Sequence, residues 1–126
     1  AGMAYALVGL LRALPWTSAR GQLYLPADLL ARHDVSRDDV VGRRDTPGLR
    51  AALAEIRALT RSHLDAMQAG LSALAPKARA ALLPAALCAP YLGRMEARDY
   101  KPFETRVDLP QWRRQWSLWR AARQLA

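Results

Sequence analysis

One long amphipathic period constrains this chain more than any other feature. Leu49, Leu53, Ile56, Thr60, His63, Met67, Leu71 and Leu74 follow one another at steps of three and four, whereas Arg50, Arg57, Arg61, Asp65 and Gln68 fall on the other side. That spacing places the apolar groups along one stripe of an α-helix, an arrangement a period-two strand cannot reproduce. Such a stripe has to be buried against other elements, and the composition says which kind. Hydrophobic residues make up 52% of the chain but aromatics only 7%, and Ala and Leu far outnumber Val and Ile. These are strong helix formers, so an all-α fold of helices packed on helices is expected. At 126 residues the chain forms one structural unit, near the lower edge of what a single core sustains.

The remaining punctuation is also helical. Ala1 to Leu14 reads as an apolar helix ended by Pro15, with Trp16 to Gly21 as a turn and Gln22 to Leu25 extended before Pro26. Ala27 to His33 then forms a short helix opened by that proline. Ser36-Arg37-Asp38-Asp39 resembles a capping box with Asp in the Glu position, starting a helix that ends near Gly42. Thr46-Pro47 caps the long helix, and Pro76 opens another, interrupted at Pro84 and Pro90. The apolar stretch up to Leu92 is too short for a membrane span. A loop around Tyr100-Lys101-Pro102-Phe103 leads to a last helix capped by Asp108.

Nineteen basic groups against 11 acidic ones leave a net charge of +8, and all the basic groups except Lys77 and Lys101 are arginines. Nucleic acid, an anionic membrane surface and a small polyanion such as a diphosphate all suit that charge. The single cysteine, Cys88, lies in an apolar run and is expected to be a buried hydrophobe, in keeping with a reducing compartment. The chain starts without a Met and without a basic n-region, so it is expected to be cut at its N-terminus rather than led by a signal peptide.

The stretch Leu10-Leu11-Arg12-Ala13-Leu14-Pro15-Trp16-Thr17-Ser18-Ala19-Arg20-Gly21-Gln22-Leu23-Tyr24-Leu25-Pro26 resembles the second aspartate-rich segment of squalene and phytoene synthases. In that family the segment reads approximately N-I-x-R-D-x-x-E-D-x-x-x-G-R-x-Y-L-P, and Gly21-x-x-Tyr24-Leu25-Pro26 is its specific part here. Arg61-Ser62-His63-Leu64-Asp65-Ala66 extends the resemblance along the long helix. The resemblance implies a helical isoprenoid-synthase-like bundle, incomplete at the N-terminus, with residues 1–126 forming a single domain or the C-terminal part of one. In active members carboxylates on two facing helices hold Mg²⁺ ions that grip the diphosphate of a prenyl donor. Here the two aspartate positions hold Ala13 and Thr17, the glutamate position holds Trp16, and Gln22 replaces an arginine. No metal site and no cofactor are therefore expected in this chain, and the first aspartate-rich motif would lie on an earlier helix outside it. The pattern is similar to a branch of the family that lacks the aspartates and serves in respiratory complex I assembly.

Within that resemblance Arg12, Arg20 and Tyr24 match the family and are candidates to bind a phosphate or carboxylate without metal; the simpler reading pairs the arginines with Asp28 or Asp34. Thr60 and His63 are further substrate-binding candidates, because the family's apolar stripe faces its cavity; a satisfied core position is the simpler account of His63. His33 has no partner at metal-ligand spacing, and Asp34, Asp38 and Asp39 read as helix-start residues favoured by the macrodipole. Trp112, Trp116 and Trp119 follow i, i+4, i+7 spacing with Arg113, Arg114, Arg120 and Arg123 around them, which suits either a membrane interface or a helix docking its indoles on the domain.

The expected function is a non-catalytic domain that binds an isoprenoid or lipid, or serves in respiratory-complex assembly. It would sit in the cytoplasm, peripheral on the inner face of a membrane, beside a protein partner or the missing N-terminal part. Two alternatives are a prenyltransferase condensing prenyl diphosphates, with the rest of its site on that missing part, and a basic helical nucleic-acid-binding protein. The spread of the basic groups and the lack of a recognition module disfavour the last.

Overall fold

The computed structural model describes residues 1–125, and every regular element among them is helical. In chain order they are α1 (Gly2–Ala19), α2 (Ala27–Arg32), α3 (Arg37–Val41), α4 (Pro47–Gly70), a 3₁₀ turn (Leu71–Ala73), α5 (Pro76–Ala80), a 3₁₀ segment (Leu83–Leu87), α6 (Cys88–Met95) and α7 (Gln111–Leu125). The all-α expectation holds.

The caps explain most of the boundaries. Ser36 Oγ accepts from the Asp39 N–H at 3.1 Å while the Asp39 carboxylate accepts from the Ser36 N–H at 3.1 Å, so the capping box forms as read. Thr46 Oγ1 accepts from the Leu49 N–H at 3.1 Å, with Pro47 in the first turn of α4. Pro90 sits in the first turn of α6, where a missing N–H costs nothing.

Pro15 departs from the expectation. It lies inside α1, which continues one turn past it to Ala19. An internal proline costs a helix about 3 kcal/mol. Against that, Leu11, Leu14 and Ser18 share one face and are 1, 3 and 1% exposed, so ending the helix at Leu14 would pull that face out of the core. The Ser18 hydroxyl also donates to the Leu14 carbonyl at 2.7 Å. The helix closes instead at Gly21, whose φ is +69°: the Gly21 N–H donates to Ser18 O at 3.0 Å and the Gln22 N–H to Thr17 O at 2.8 Å. This is a Schellman closure. The same pair of bonds ends α2 at Asp34 (φ +54°) and α3 at Arg43 (φ +55°). Gly42 is therefore not the left-handed residue; its φ is −73°, and a Cβ there would lie 2.7 Å from the Asp38 carbonyl oxygen.

The core gathers Val8, Leu11 and Leu14 of α1, Leu49, Ala52, Leu53 and Ile56 of α4, and Cys88, Tyr91, Leu92 and Met95 of α6. Cys88 is fully buried, and burial pushes its thiol pKa up, so it behaves as the small hydrophobe expected. The segment between α6 and α7 completes this core with Tyr100, Pro102, Phe103 and Val107. Its irregular backbone needs partners when covered. Arginines supply them: Arg43 Nη2 donates to Phe103 O at 2.5 Å, Arg50 Nη1 to Tyr100 O at 3.3 Å and Arg12 Nε to Val107 O at 2.9 Å. Part of the basic excess is thus structural. The expected Asp108 cap is displaced too: α7 begins at Gln111, the Arg114 N–H donates to Pro110 O at 3.1 Å, and Asp108 instead accepts from the Leu109 N–H at 2.9 Å.

Candidate functional site

The positions that carry carboxylates in the resemblance lie on the last two turns of α1. Ala13 offers no ligand atom, and Trp16 is 48% exposed with Arg106 stacked over its ring at 5.6 Å. The Thr17 hydroxyl donates to the Leu14 carbonyl of its own helix at 3.4 Å. Magnesium asks for several oxygens in near-octahedral array, and these side chains do not fit it. Among the described residues no three His, Cys, Asp or Glu side chains converge as a metal would require. Of the three carboxylates read as helix-start residues, Asp39 caps α3, and hydrogen bonds from Ser36 hold its carboxyl below the usual range, whereas Asp34 instead takes the left-handed position that closes α2.

Arg12, Arg20 and Tyr24 are not brought together. Arg12 stacks over the Tyr91 ring at 4.0 Å, donates to Val107 O and lies 3.7 Å from the Asp108 carboxylate. Its partner is therefore Asp108 rather than Asp28 or Asp34, and it ties α1 to α6 and to the entry of α7. Arg20 follows the last turn of α1 on the surface, and Tyr24 is 59% exposed.

Thr60 and His63 also separate. Thr60 is fully buried, its hydroxyl donating to the Ile56 carbonyl at 2.7 Å, whereas His63, one turn on, is only partly covered. Burial along α4 stops at Thr60; beyond it Met67 and Leu71 are half-buried and Gln68 is exposed. Opposite this thinly covered half stands α7. Between them runs a groove of about 410 Å³, walled by Met67, Leu71, Leu82, Ala86 and Trp116, with Arg120 at its side.

The tryptophans of α7 face outward. Trp112, Trp116 and Trp119 are 64, 54 and 48% exposed, with Trp116 and Trp119 stacked at 4.9 Å between ring centroids. Arg113 lies over Trp112 at 5.2 Å and Arg123 over Trp119 at 4.9 Å. Leu118, on another side of the helix, is what packs on the core.

His33 meets a partner the sequence did not suggest. Its Nε2 lies 2.7 Å from Glu55 of α4, and Arg32 reaches the other oxygen of the same carboxylate at 2.8 Å. The bond with His33, joined by the charge of Arg32, holds the Glu55 carboxyl below its usual range. No local spacing could have found this pair, 22 residues apart in the chain.

Helical throughout its regular elements, with a Gly-x-x-Tyr-Leu-Pro segment after a helix whose ligand positions are apolar or self-bonded, the chain has the form of an isoprenoid-synthase-type domain without that helix's metal ligands. It belongs to the squalene/phytoene synthase family, whose model matches residues 1–120. Among curated proteins it is 32% identical over 113 residues to a phytoene synthase of Thermus thermophilus, covering 90% of this chain and 39% of that protein. It is 29% identical over 102 residues to complex I assembly factor 6 of Rattus norvegicus, covering 81% of this chain and 31% of the relative. The human assembly factor 6 is 26% identical over 102 residues. The chain thus spans roughly a third of the length of these relatives. No solved structure matches it significantly. No helix among the described residues is long and apolar enough to cross a membrane.

Proposed function

We propose that this chain is part of a non-catalytic squalene/phytoene synthase domain that acts by binding and assembly rather than by condensing prenyl diphosphates. The observation that carries the reading is the occupancy of the carboxylate positions by Ala13, Trp16 and Thr17, of which Thr17 spends its hydroxyl on its own helix. The relatives named for complex I assembly support a role with protein partners. In this reading the groove between α4 and α7 takes a prenyl or acyl chain along Met67, Leu71 and Leu82, with Arg120 meeting an anionic head. The exposed indoles and arginines of α7 rest on the inner face of a membrane from the cytoplasm, each arginine adding about 1 kcal/mol of attraction to an anionic surface.

A second reading is favoured by the identity with a phytoene synthase: prenyl transfer, with carboxylates supplied from outside this chain. The two separate in one assay. The full-length protein, given farnesyl or geranylgeranyl diphosphate and Mg²⁺, is expected to release no diphosphate above the protein-free rate and to show no Mg²⁺-dependent rise in melting temperature. Protein-dependent release would establish the second reading and end the first.

A further inference from the structure

A second cavity, remote from the α1 motif and from the groove, lies where the loop after α6 crosses the outer side of α4. It encloses about 240 Å³ and is lined by Arg50, Arg57, Arg98, Tyr100 and Glu96, with Met95 among its apolar neighbours. Its charges divide into those already matched and those left over. Arg50 is bound by Asp45 through two hydrogen bonds of 2.8 and 2.5 Å. Both oxygens of Glu96 are taken by Arg61, at 2.9 and 2.7 Å. Arg94 takes Asp99 at 2.9 Å. Two guanidinium groups remain, those of Arg57 and Arg98, for which no hydrogen bond or ion pair is formed with any described residue.

Arg57 is partly covered, and desolvation is the largest influence on it, pushing its pKa down. Beside it Tyr100 is 5% exposed, and its hydroxyl bonds to no described residue. Arg57 and Arg98 thus offer donors to a cavity whose carboxylates are already taken, and the Tyr100 hydroxyl, which solvent still reaches, is free to donate beside them. What suits these donors is an anion with several acceptor oxygens, because a guanidinium presents a planar fork of donors and a phenol one more.

We infer that the Arg57–Arg98–Tyr100 cavity is a phosphate-binding site, taking inorganic phosphate or the phosphate of a monoester headgroup. Arg57 and Arg98 supply the charge, Tyr100 donates from the cavity wall, and Arg50 stays committed to Asp45. The site is independent of the membrane and groove assignments above, since no residue is shared with either.

The test is thermal melting of the full-length protein against inorganic phosphate, with chloride at matched ionic strength as control. A saturable rise specific to phosphate is expected. Arg57→Gln weakens it about 10- to 100-fold and Tyr100→Phe about 10-fold, as befits lost charge-assisted and neutral hydrogen bonds. In chloride alone Arg57→Gln melts no lower than the parent, because Arg57 has no hydrogen bond or ion pair with a described residue to lose, the Glu96 carboxylate being held by Arg61; a merely structural arginine would lower it. Glycerol 3-phosphate and phosphatidate vesicles then separate the sources: loss of vesicle binding in Arg57→Gln assigns a headgroup, loss of only the soluble responses assigns free phosphate. An identical response to phosphate and chloride, or an Arg57→Gln variant that keeps the phosphate response, would overturn the assignment.

Discussion

Two stretches of this chain carry the same helical spacing and meet opposite fates. Along α4, Leu49, Leu53, Ile56 and Thr60 are 0, 0, 4 and 0% exposed. Along α7, Trp112, Trp116 and Trp119 recur at equivalent steps yet stay 48 to 64% exposed. The stripe of α4 meets the stripe of α1, so each supplies the other's cover. Helix α7 lies against the 3₁₀ segment Leu83–Leu87 and α5, and turns Leu118 rather than the indoles toward the core. A period shows which side chains share a face; whether that face is inward depends on what stands opposite.

The contrast can be broken most forcefully from the α4 side. Leu53→Ala should cost about 2–5 kcal/mol in equilibrium urea unfolding, as expected for a large-to-small change in a closed core. A loss below about 1 kcal/mol would mean that the α4 stripe is no more a core than the α7 stripe.

Next in size is Gly48, at the start of α4. A Cβ there would collide with the His33 carbonyl oxygen and stand 3.3 Å from Val35 Cγ2. Gly48→Ala should therefore destabilise by about 1–3 kcal/mol although alanine favours helices, because backbone at the end of α2 must give way. A neutral or stabilising result in the same assay would show that α2 and α4 do not approach so closely.

Acid should loosen the same junction gently. The Glu55 carboxyl is held below its ordinary 4.5, first by the bond with His33 and then by Arg32. A depressed carboxylate contributes stability above its unfolded pKa and loses it as the pH falls through the lower folded value. The loss therefore appears below pH 4.5. Glu55→Gln should flatten the melting profile in that acidic range, and an unchanged acid slope would count against the contact.

The smallest effect on stability belongs to α7, and there it sharpens the comparison. Replacing Trp112, Trp116 and Trp119 by Ala should shift unfolding by no more than about 0.5 kcal/mol per site, as for exposed positions. The same variant should sediment less with anionic vesicles. A collapsed melting temperature with unchanged vesicle binding would place the indoles in a packed interface and remove the membrane reading.

Legibility in the sequence followed the range of the interaction. The caps at Ser36 and Thr46 and the amphipathic face of α4 were readable because their partners lie within a few residues. Pro15 was misread as a terminator because a local rule met a non-local counterweight, the buried face of Leu11, Leu14 and Ser18. Asp108 looked like a cap from its place before Leu109-Pro110 but belongs with Arg12, far away in the chain. The phosphate cavity was invisible for the same reason. Arg50 and Arg57 read as the solvent side of α4 until the loop carrying Arg98 and Tyr100 crosses them.

The sequence by itself determined the helical class, most helix starts, the family and the loss of the carboxylates, since each follows from residue type at short spacing. The tertiary structure alone decided that α1 runs through its proline, that arginines hold the backbone between α6 and α7, and that the indoles of α7 face out. Those outcomes depend on which surfaces meet. The free energy of burial is set by the element opposite, which no local window of residues contains.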